Sequence, residues 1–188
     1  MTTSAKDAVR KELTSARRSR SPEQRAADNA AWCQGVRELL TPSMRVAAYS
    51  PLGSEPGGPQ FVDTVAALCS EVYLPLSGDA GELTWTRYTG AENMVPGALG
   101  IAEPVGERHP SALLAELDLI LAPALAVSSS GMRLGKGAGY YDRALDPLPA
   151  GCPPVVALVH SSEVRAVPFD DHDRPVDGVL TEQELRWF

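Results

Sequence analysis

The chain has 188 residues, of which 44% are hydrophobic and 22% charged, and this composition predicts one soluble domain, residues 1–188, with a sizeable buried core. Its net charge of −7, from 24 acidic and 17 basic residues, argues against general binding to nucleic acid or to a membrane surface. No apolar run has the length of a membrane span or of a signal peptide, so we expect an unprocessed cytoplasmic protein.

The cysteines, Cys33, Cys69 and Cys152, are odd in number and widely spaced. They form no Cys-x-x-Cys motif, so we expect neither a disulfide scaffold nor a zinc site. A reducing compartment fits this usage.

Two helices are predicted before the first strand. Near the start of the chain, apolar residues recur at helical spacing: Ala5, Val9, Leu13 and Ala16. Lys6 and Arg10 stand one turn apart beside this stripe. Ser21, followed by a proline and then by Gln24, supplies the N-cap and capping box of a second helix, which should extend to about Leu40.

Strands are predicted at short apolar runs: 46–50, 72–76, 119–122, 155–159 and 179–181. A further strand at 83–88 alternates in character and should be more exposed. Helical segments are predicted between the strands: 61–71, 111–117 and 140–146. This alternation indicates an α/β fold with a largely parallel sheet, in which ligands bind beyond the carboxyl ends of the strands.

The strongest functional signal is the segment 131–143, Gly-Met-Arg-Leu-Gly-Lys-Gly-Ala-Gly-Tyr-Tyr-Asp-Arg, which we call the cradle. Gly135, Gly137 and Gly139 allow positive φ, so that backbone N–H groups can converge on an anion. The helix predicted to follow adds its positive N-terminal end. The segment therefore predicts a phosphate-binding loop.

Two better-known glycine motifs do not match the cradle. A P-loop needs one more residue before the Gly135-Lys136 pair, and a Ser or Thr after it. A dinucleotide fingerprint needs a third glycine where this chain has Tyr140. A glycine-rich surface loop stays an alternative, which the nearby charges of Arg133, Asp142 and other cradle residues make less favourable.

The chain resembles the 5-formyltetrahydrofolate cyclo-ligases, also called 5,10-methenyltetrahydrofolate synthetases. The resemblance extends over about residues 5–182 and rests on several stretches: the basic first helix with Lys6 and Arg10, the segment 49–55, the segment 101–104 (Ile-Ala-Glu-Pro), the cradle, and the tail 172–177. It implies a three-layer αβα, Rossmann-like fold with two N-terminal helices. It also implies an enzyme that uses ATP and Mg²⁺.

The implied reaction converts 5-formyltetrahydrofolate to 5,10-methenyltetrahydrofolate and releases ADP and phosphate, through phosphoryl activation of the formyl oxygen. Such chemistry needs positioning and charge neutralisation rather than a nucleophilic triad. The expected partners are ATP and 5-formyltetrahydrofolate, without nucleic acid or membrane, and the expected state is a monomer or a weak dimer.

The resemblance also assigns site residues. The implied catalytic residues are Arg133, Lys136 and Tyr140. The implied ATP site combines the first-helix cations with most of the cradle: Lys6, Arg10, Arg133, Leu134, Gly135, Lys136, Gly137, Ala138, Gly139, Tyr140 and Tyr141. The implied folate site shares part of it: Ser50, Glu55, Lys136, Gly137, Ala138, Gly139 and Tyr140. The implied magnesium ligands are Asp142 and Asp173.

Each assignment has a plainer interpretation from the residues alone. Lys6 and Arg10 can form a solvated helix face, Asp142 can form a surface ion pair with Arg143, and Asp173 can belong to an acidic turn. Two other functions also stay open: a non-catalytic protein that binds reduced folate or a nucleotide, and another small-molecule kinase or ligase.

The chain departs from the family pattern in two loops. Before the cradle, residues 126–130 lack the usual aromatic residue and acid. After Glu55, the residues Pro56, Gly57 and Gly58 replace an acidic residue and a threonine. These departures leave the support of the cradle and the hydrogen bonds on the folate side open.

Overall fold

A computed structural model of the chain describes residues 2–78, 81–97, 100–149, 153–170 and 173–188, which leaves Cys152 outside the described residues. The α-helices are α1 (Thr2–Ser19), α2 (Pro22–Gly35), α3 (Phe61–Leu68) and α4 (Tyr140–Leu145). Short 3₁₀ helices lie at Val36–Glu38, Ala91–Asn93, Ser111–Glu116 and Ser161–Glu163. No helix in these ranges is long and apolar enough to cross a membrane.

The strands are β1 (Arg45–Ala47), β2 (Glu71–Ser77), β3 (Leu83–Arg87), β4 (Met94–Pro96), β5 (Ala102–Pro104), β6 (His109–Pro110), β7 (Leu119–Pro123), β8 (Ala126–Val127), β9 (Arg133–Leu134), β10 (Val155–Leu158), β11 (Gly178–Leu180) and β12 (Leu185–Trp187). The main sheet has the order β12-β11-β10-β7-β1-β2-β3-β6. Strands β11, β10, β7, β1 and β2 are mutually parallel, and β12, β3 and β6 are antiparallel at the edges. The prediction of an α/β fold with a mostly parallel sheet is confirmed.

Successive strand residues point to opposite sides of this sheet, so its apolar strands give it two apolar faces. Helices cover both faces. On one face, a core cluster joins strand residues to α2 and α3: Val46, Leu119, Val156, Trp32 and Phe61. On the other face, a second cluster joins strand residues to α4 and the 3₁₀ helix Ser111–Glu116: Ala47, Ile120, Ala157, Leu114 and Leu145. The molecule therefore has three layers, α, β and α.

Helix α2 begins as its sequence predicts. Ser21 Oγ accepts a hydrogen bond from the Gln24 N–H at 3.2 Å, and Gln24 Oε1 accepts one from the Ser21 N–H at 2.9 Å. This reciprocal capping box satisfies two N–H groups that the first turn leaves without helical partners. The helix gives way to the 3₁₀ turn at Val36, slightly before the predicted end.

The buried face of α1 differs from the predicted apolar stripe. Ala5 and Ala16 are exposed, whereas Lys6 and Arg17 are buried together with Leu13. Two cations replace apolar residues on this face because carboxylates from the second half of the chain pair with them. The prediction was wrong at the two alanines, whose small side chains bury little area.

Strand β3 is also more buried than predicted. Trp85 and Thr86 are fully buried, and Trp85 Nε1 donates a hydrogen bond to Ser111 Oγ at 3.1 Å. The 3₁₀ helix that begins at Ser111 and helix α4 contact this strand, so the alternation in its sequence does not correspond to an exposed face.

Candidate active site

A cavity of about 590 Å³ opens at the carboxyl ends of β1, β2 and β7. From β1 the chain continues to β2 on one side, whereas from β7 it continues to β10 on the other. The cavity therefore lies where the strand order reverses, which is the usual ligand position in open α/β sheets.

Every site residue assigned from the sequence lines this cavity: Lys6, Arg10, Ser50, Glu55, Arg133, Leu134, Gly135, Lys136, Gly137, Ala138, Gly139, Tyr140, Tyr141, Asp142 and Asp173. Their individual roles stay predictions. The cavity is also lined by residues that were not predicted from the sequence: Tyr49, Leu52, Pro75, Ser77, Leu83, Ile101, Glu103, Pro123, Ala124 and Asp170.

Residues 135–139 of the cradle form the turn between β9 and α4, and this turn has positive φ at two of its glycines. Gly137 has φ +106° and Gly139 has φ +70°, and Gly139 is the residue before α4. A Cβ at Gly137 would also lie 3.2 Å from the guanidinium carbon of Arg10. Arg10 Nε donates a hydrogen bond to the Gly135 carbonyl at 3.0 Å, so a cation of helix α1 contacts the cradle.

Arg133 is the most buried cation of the cradle, with 5% of its surface exposed. It donates hydrogen bonds to Asp142 and to the Pro123 carbonyl, and its guanidinium lies 5.8 Å from the centre of the Tyr141 ring. Its Nε finds no partner among the described residues. These contacts fix a positive charge at the wall of the cavity.

Tyr141 lines the cavity next to Arg133 and carries a buried hydroxyl. Its ring packs edge-on against Trp85 at 6.2 Å between centroids, and the hydroxyl has no hydrogen-bond partner within the described part of the chain. Burial, reinforced by the charge of Glu55, raises the pKa of Tyr141 well above its usual value. The hydroxyl therefore stays protonated and can donate a hydrogen bond.

Lys6 joins helix α1 to the acidic segment near residue 170. Its Nζ lies 2.6 Å from Asp170 Oδ2 and 2.5 Å from Asp173 Oδ2, and the lysine is buried. Burial lowers the pKa of Lys6, but hydrogen bonds to the two aspartates outweigh it and raise the pKa above 10.5. The side chain is therefore a permanent cation, held on the cavity side by α1 rather than on a solvated face.

Lys136 and Glu55 connect the cradle to the loop after β1. Lys136 Nζ lies 2.6 Å from Glu55 Oε1, and Glu55 Oε2 accepts a hydrogen bond from the Leu52 N–H at 2.8 Å. Residues assigned to the nucleotide and to the folate are therefore in direct contact.

Both departures from the family pattern have local support. Ser128 Oγ accepts hydrogen bonds from the N–H groups of Ser130, at 3.3 Å, and Met132, at 3.0 Å, and so stabilises the turn before the cradle. After Glu55, Gly57 has φ +106°, and a Cβ there would collide with Phe61. Tyr49 Oη donates to the carbonyl of Pro56 at 2.7 Å, which anchors this turn.

Asp142 and Asp173 are compatible with a magnesium ion that arrives with phosphate groups. Both line the cavity, each beside a cation. Within the described ranges, no group of three or more His, Cys, Asp or Glu residues is arranged to hold a metal by itself. Mg²⁺ commonly takes one or two carboxylates together with phosphate oxygens and water, so two carboxylates suffice for it.

The fold and the cavity define a doubly wound α/β protein with a cationic, glycine-rich ligand site at the switch point of its sheet. The family model described as "5-formyltetrahydrofolate cyclo-ligase family" matches residues 2–182. The chain belongs to this family, and it is an enzyme by class.

Individual relatives agree with this assignment. The chain is 38% identical over 156 residues to the 5-formyltetrahydrofolate cyclo-ligase of Mycolicibacterium smegmatis, covering 80% of this chain and 78% of the relative. The 5,10-methenyltetrahydrofolate synthetase of Aquifex aeolicus superposes with a TM-score of 0.79 at 31% identity, over 97% of this chain and 92% of the other. The synthetase of Mycoplasma pneumoniae, at 20% identity, shares the fold with a TM-score of 0.73, over 94% and 98% of the two chains.

Proposed function

We propose that this protein converts 5-formyltetrahydrofolate to 5,10-methenyltetrahydrofolate and hydrolyses one ATP to ADP and phosphate in each turnover. Family membership supports the reaction. The observation that carries the ATP requirement is the arrangement of Lys6, Arg10 and Arg133, three cations from two distant segments, around the glycine-rich cradle.

The proposed chemistry begins with transfer of the γ-phosphoryl group of ATP to the formyl oxygen, which releases ADP. N10 of the folate then attacks the activated formyl carbon and closes the ring. The C–O bond breaks, phosphate leaves with the former formyl oxygen, and N10 loses its proton. Phosphoryl transfer requires mainly alignment and neutralisation of charge, which agrees with a cavity rich in cations and backbone N–H groups.

We assign the nucleotide phosphates to the cradle and its cations. Arg133 is held by Asp142 and a backbone carbonyl, so its charge is positioned before substrate binds. Arg10 lies against Gly137 and donates to the Gly135 carbonyl, and we assign it to the same phosphate chain. Lys136 is more exposed than Arg133, and we assign it to the transferring phosphoryl group, together with the ring and hydroxyl of Tyr140.

We assign Mg²⁺ to Asp142 and Asp173, as the family resemblance implies. Bound there with ATP, it would neutralise phosphate charge. The chain itself holds both carboxylates next to cations, Arg133 and Lys6. Ser50 and Glu55, in the loop after β1, are assigned to the folate.

The test is turnover with purified protein, ATP, Mg²⁺ and 5-formyltetrahydrofolate. We expect the ultraviolet absorbance of the methenyl product to rise and ADP to form in equal amount. A non-hydrolysable ATP analogue, or omission of ATP, should stop product formation. Absence of product above the enzyme-free control would contradict the proposal.

The same assay separates the two alternatives. Tight binding of the formyl folate in calorimetry without ADP release would indicate a binding protein. ATP consumption stimulated by another acceptor, but not by the formyl folate, would indicate a different kinase or ligase. A cytoplasmic location and a monomeric or weakly dimeric state stay predictions from the sequence, and sedimentation of the purified protein tests the second.

A further inference from the structure

Glu103 differs from the other carboxylates of the cavity. Glu55, Asp142, Asp170 and Asp173 each bind a lysine or an arginine. Glu103 lines the same cavity, half-buried, and no hydrogen bond or ion pair joins its side chain to any residue that the structure describes. Its two oxygens are therefore acceptors available to a ligand.

The side chain of Glu103 nevertheless packs closely against Gly97. It extends from β5, which pairs antiparallel with β4, and the Gly97 N–H donates to the Ile101 carbonyl at 2.9 Å to continue this hairpin. A Cβ on Gly97 would lie 2.3 Å from both Cγ and Cδ of Glu103. The backbone of Gly97 does not have a positive φ, so its conformation does not require a glycine. The absence of a Cβ at this position instead leaves room for the Glu103 side chain.

The surroundings of Glu103 differ from those of the cradle. Pro75 lies on β2, and Leu83 begins β3, the strand that pairs with β2. Together with Ile101 they give this side of the cavity apolar walls. In the sheet, β2 and β3 lie on the opposite side of β1 from β7, and the cradle reaches this side through Tyr141, whose ring packs against Trp85 of β3. A flat, neutral ring fits this side better than a phosphate does.

We propose that Glu103 determines specificity for the folate by accepting hydrogen bonds from the aminopyrimidine edge of its pterin ring, with Ile101 and Leu83 against the ring faces. This inference rests on the proposed function. The edge presents a ring N–H and an exocyclic amine side by side, which match the two oxygens of a carboxylate. Adenine presents its amine between two acceptor nitrogens. If the amine donated to one oxygen of Glu103, the lone pair of a ring nitrogen would face the other oxygen and repel it.

The primary test is Glu103→Gln, with Glu107→Gln as the matched control. Glu107 is an exposed glutamate on the loop after β5. The amide keeps the shape of Glu103 but loses the charge and one acceptor, so we expect the KM for 5-formyltetrahydrofolate to rise at least about tenfold, with the KM for ATP unchanged. The control should behave as wild type. An unchanged folate KM, or an equal rise in both KM values, would overturn the inference.

A second test links the residue to the ligand atoms. For a substrate analogue that lacks the exocyclic amine, Glu103→Gln should weaken binding in calorimetry less than it does for 5-formyltetrahydrofolate, because the contact is already missing. Equal weakening of both ligands would overturn the proposed contact. Gly97→Ala, which displaces the Glu103 side chain, should raise the folate KM in the same direction.

Failure of this inference is distinguishable from failure of the proposed function. If wild-type protein neither binds nor converts 5-formyltetrahydrofolate, the proposed function fails, and the inference fails with it. If wild-type protein is active and Glu103→Gln has a normal folate KM, only the role of Glu103 is overturned. Matching circular dichroism and thermal midpoints of the variants and wild type exclude unfolding as the cause of a change.

Discussion

Lys136 and Glu55 form an ion pair whose two members differ in exposure, because 57% of the lysine side chain and 11% of the glutamate side chain are exposed. Nζ and Oε1 are 2.6 Å apart, and the second glutamate oxygen is held by a backbone N–H. Glu55 is thus held by two contacts, whereas more than half of the Lys136 side chain faces solvent. The pair therefore links the cradle, assigned to the nucleotide, to the loop after β1, assigned to the folate.

Lys136→Met should separate activity from stability. We expect kcat/KM to fall about 10²-fold to 10³-fold, because the charge that we assign to the transferring phosphoryl group is lost. The free energy of unfolding should fall by less than about 1 kcal/mol, because an exposed pair contributes little. Steady-state kinetics and urea unfolding measure the two effects, and Lys11→Met, on an exposed lysine, is the control. A kinetic loss no larger than that of the control would remove Lys136 from the active site.

Asp142→Asn tests the magnesium assignment. The amide is a weaker ligand for Mg²⁺ and a weaker partner for Arg133, so we expect a large fall in kcat and a rise in the Mg²⁺ concentration that gives half-maximal rate. The rate is measured as Mg²⁺ is varied at fixed ATP. Asp146→Asn, one turn further along and exposed, should behave as wild type. An unaltered Mg²⁺ requirement in Asp142→Asn would indicate that the residue only positions Arg133.

Lys6→Met should affect both ATP binding and stability. Without the lysine, Asp170 and Asp173 lose their shared cation, and we expect the free energy of unfolding to fall by about 1 to 3 kcal/mol and the KM for ATP to rise. Because the pKa of Lys6 is raised from 10.5, its contribution is complete below that pH and is lost only as the pH rises through the folded pKa. The stability difference between wild type and variant should therefore be constant between about pH 7 and about pH 9.

Arg17→Met tests a buried ion pair whose two members do not line the cavity. Arg17 and Glu163 each have 3% of their surface exposed, and the arginine Nη2 also donates to the Ala124 carbonyl at 2.7 Å. Removal of the arginine leaves Glu163 buried without its cation, and we expect a loss of about 3 to 5 kcal/mol in unfolding free energy. Arg18→Met, at the adjacent exposed position, should be close to neutral. An equal effect of both substitutions in urea unfolding would contradict the prediction.

His160 should make the protein less stable in mild acid. Burial lowers the pKa of His160, although Glu163 and Glu182 oppose the effect. Since the unfolded chain then takes up the proton first, the contribution of the neutral histidine is present above the usual pKa of 6.5 and is lost as the pH falls through the folded pKa. Between about pH 7.5 and about pH 5.5, His160→Gln should lose less unfolding free energy than wild type. Equal losses in both proteins would assign the acid sensitivity to carboxylates alone.

The sequence predicts the elements that carry strong local patterns. The apolar run of β7 and the capping box at Ser21 specify their own conformation, and both are present. The hairpins β4–β5 and β8–β9 were not predicted, because strands of two or three residues have no measurable periodicity. The burial of Arg17 was not predicted either, because its partner Glu163 lies 146 residues away in the chain.

The candidate site could be predicted where its residues belong to a recognisable motif. The glycine spacing of the cradle and the family resemblance together locate Arg133, Lys136 and Asp142. Glu103 was missed although its segment, Ile-Ala-Glu-Pro, forms part of the resemblance. A single glutamate in a short strand has no sequence feature that marks it as facing a cavity, and only the tertiary structure brings it there.

The contacts of helix α1 join it to residues that are synthesised much later. Lys6 pairs with Asp170 and Arg17 pairs with Glu163, across 164 and 146 residues of chain. Synthesis proceeds from the N-terminus, so α1 is made first but must wait for these partners. The closure of such long loops opposes early docking. A nascent chain that already contains the cradle therefore still lacks the partners of Lys6, and the lysine can take its place in the cavity wall only after residues 170 and 173 have been made.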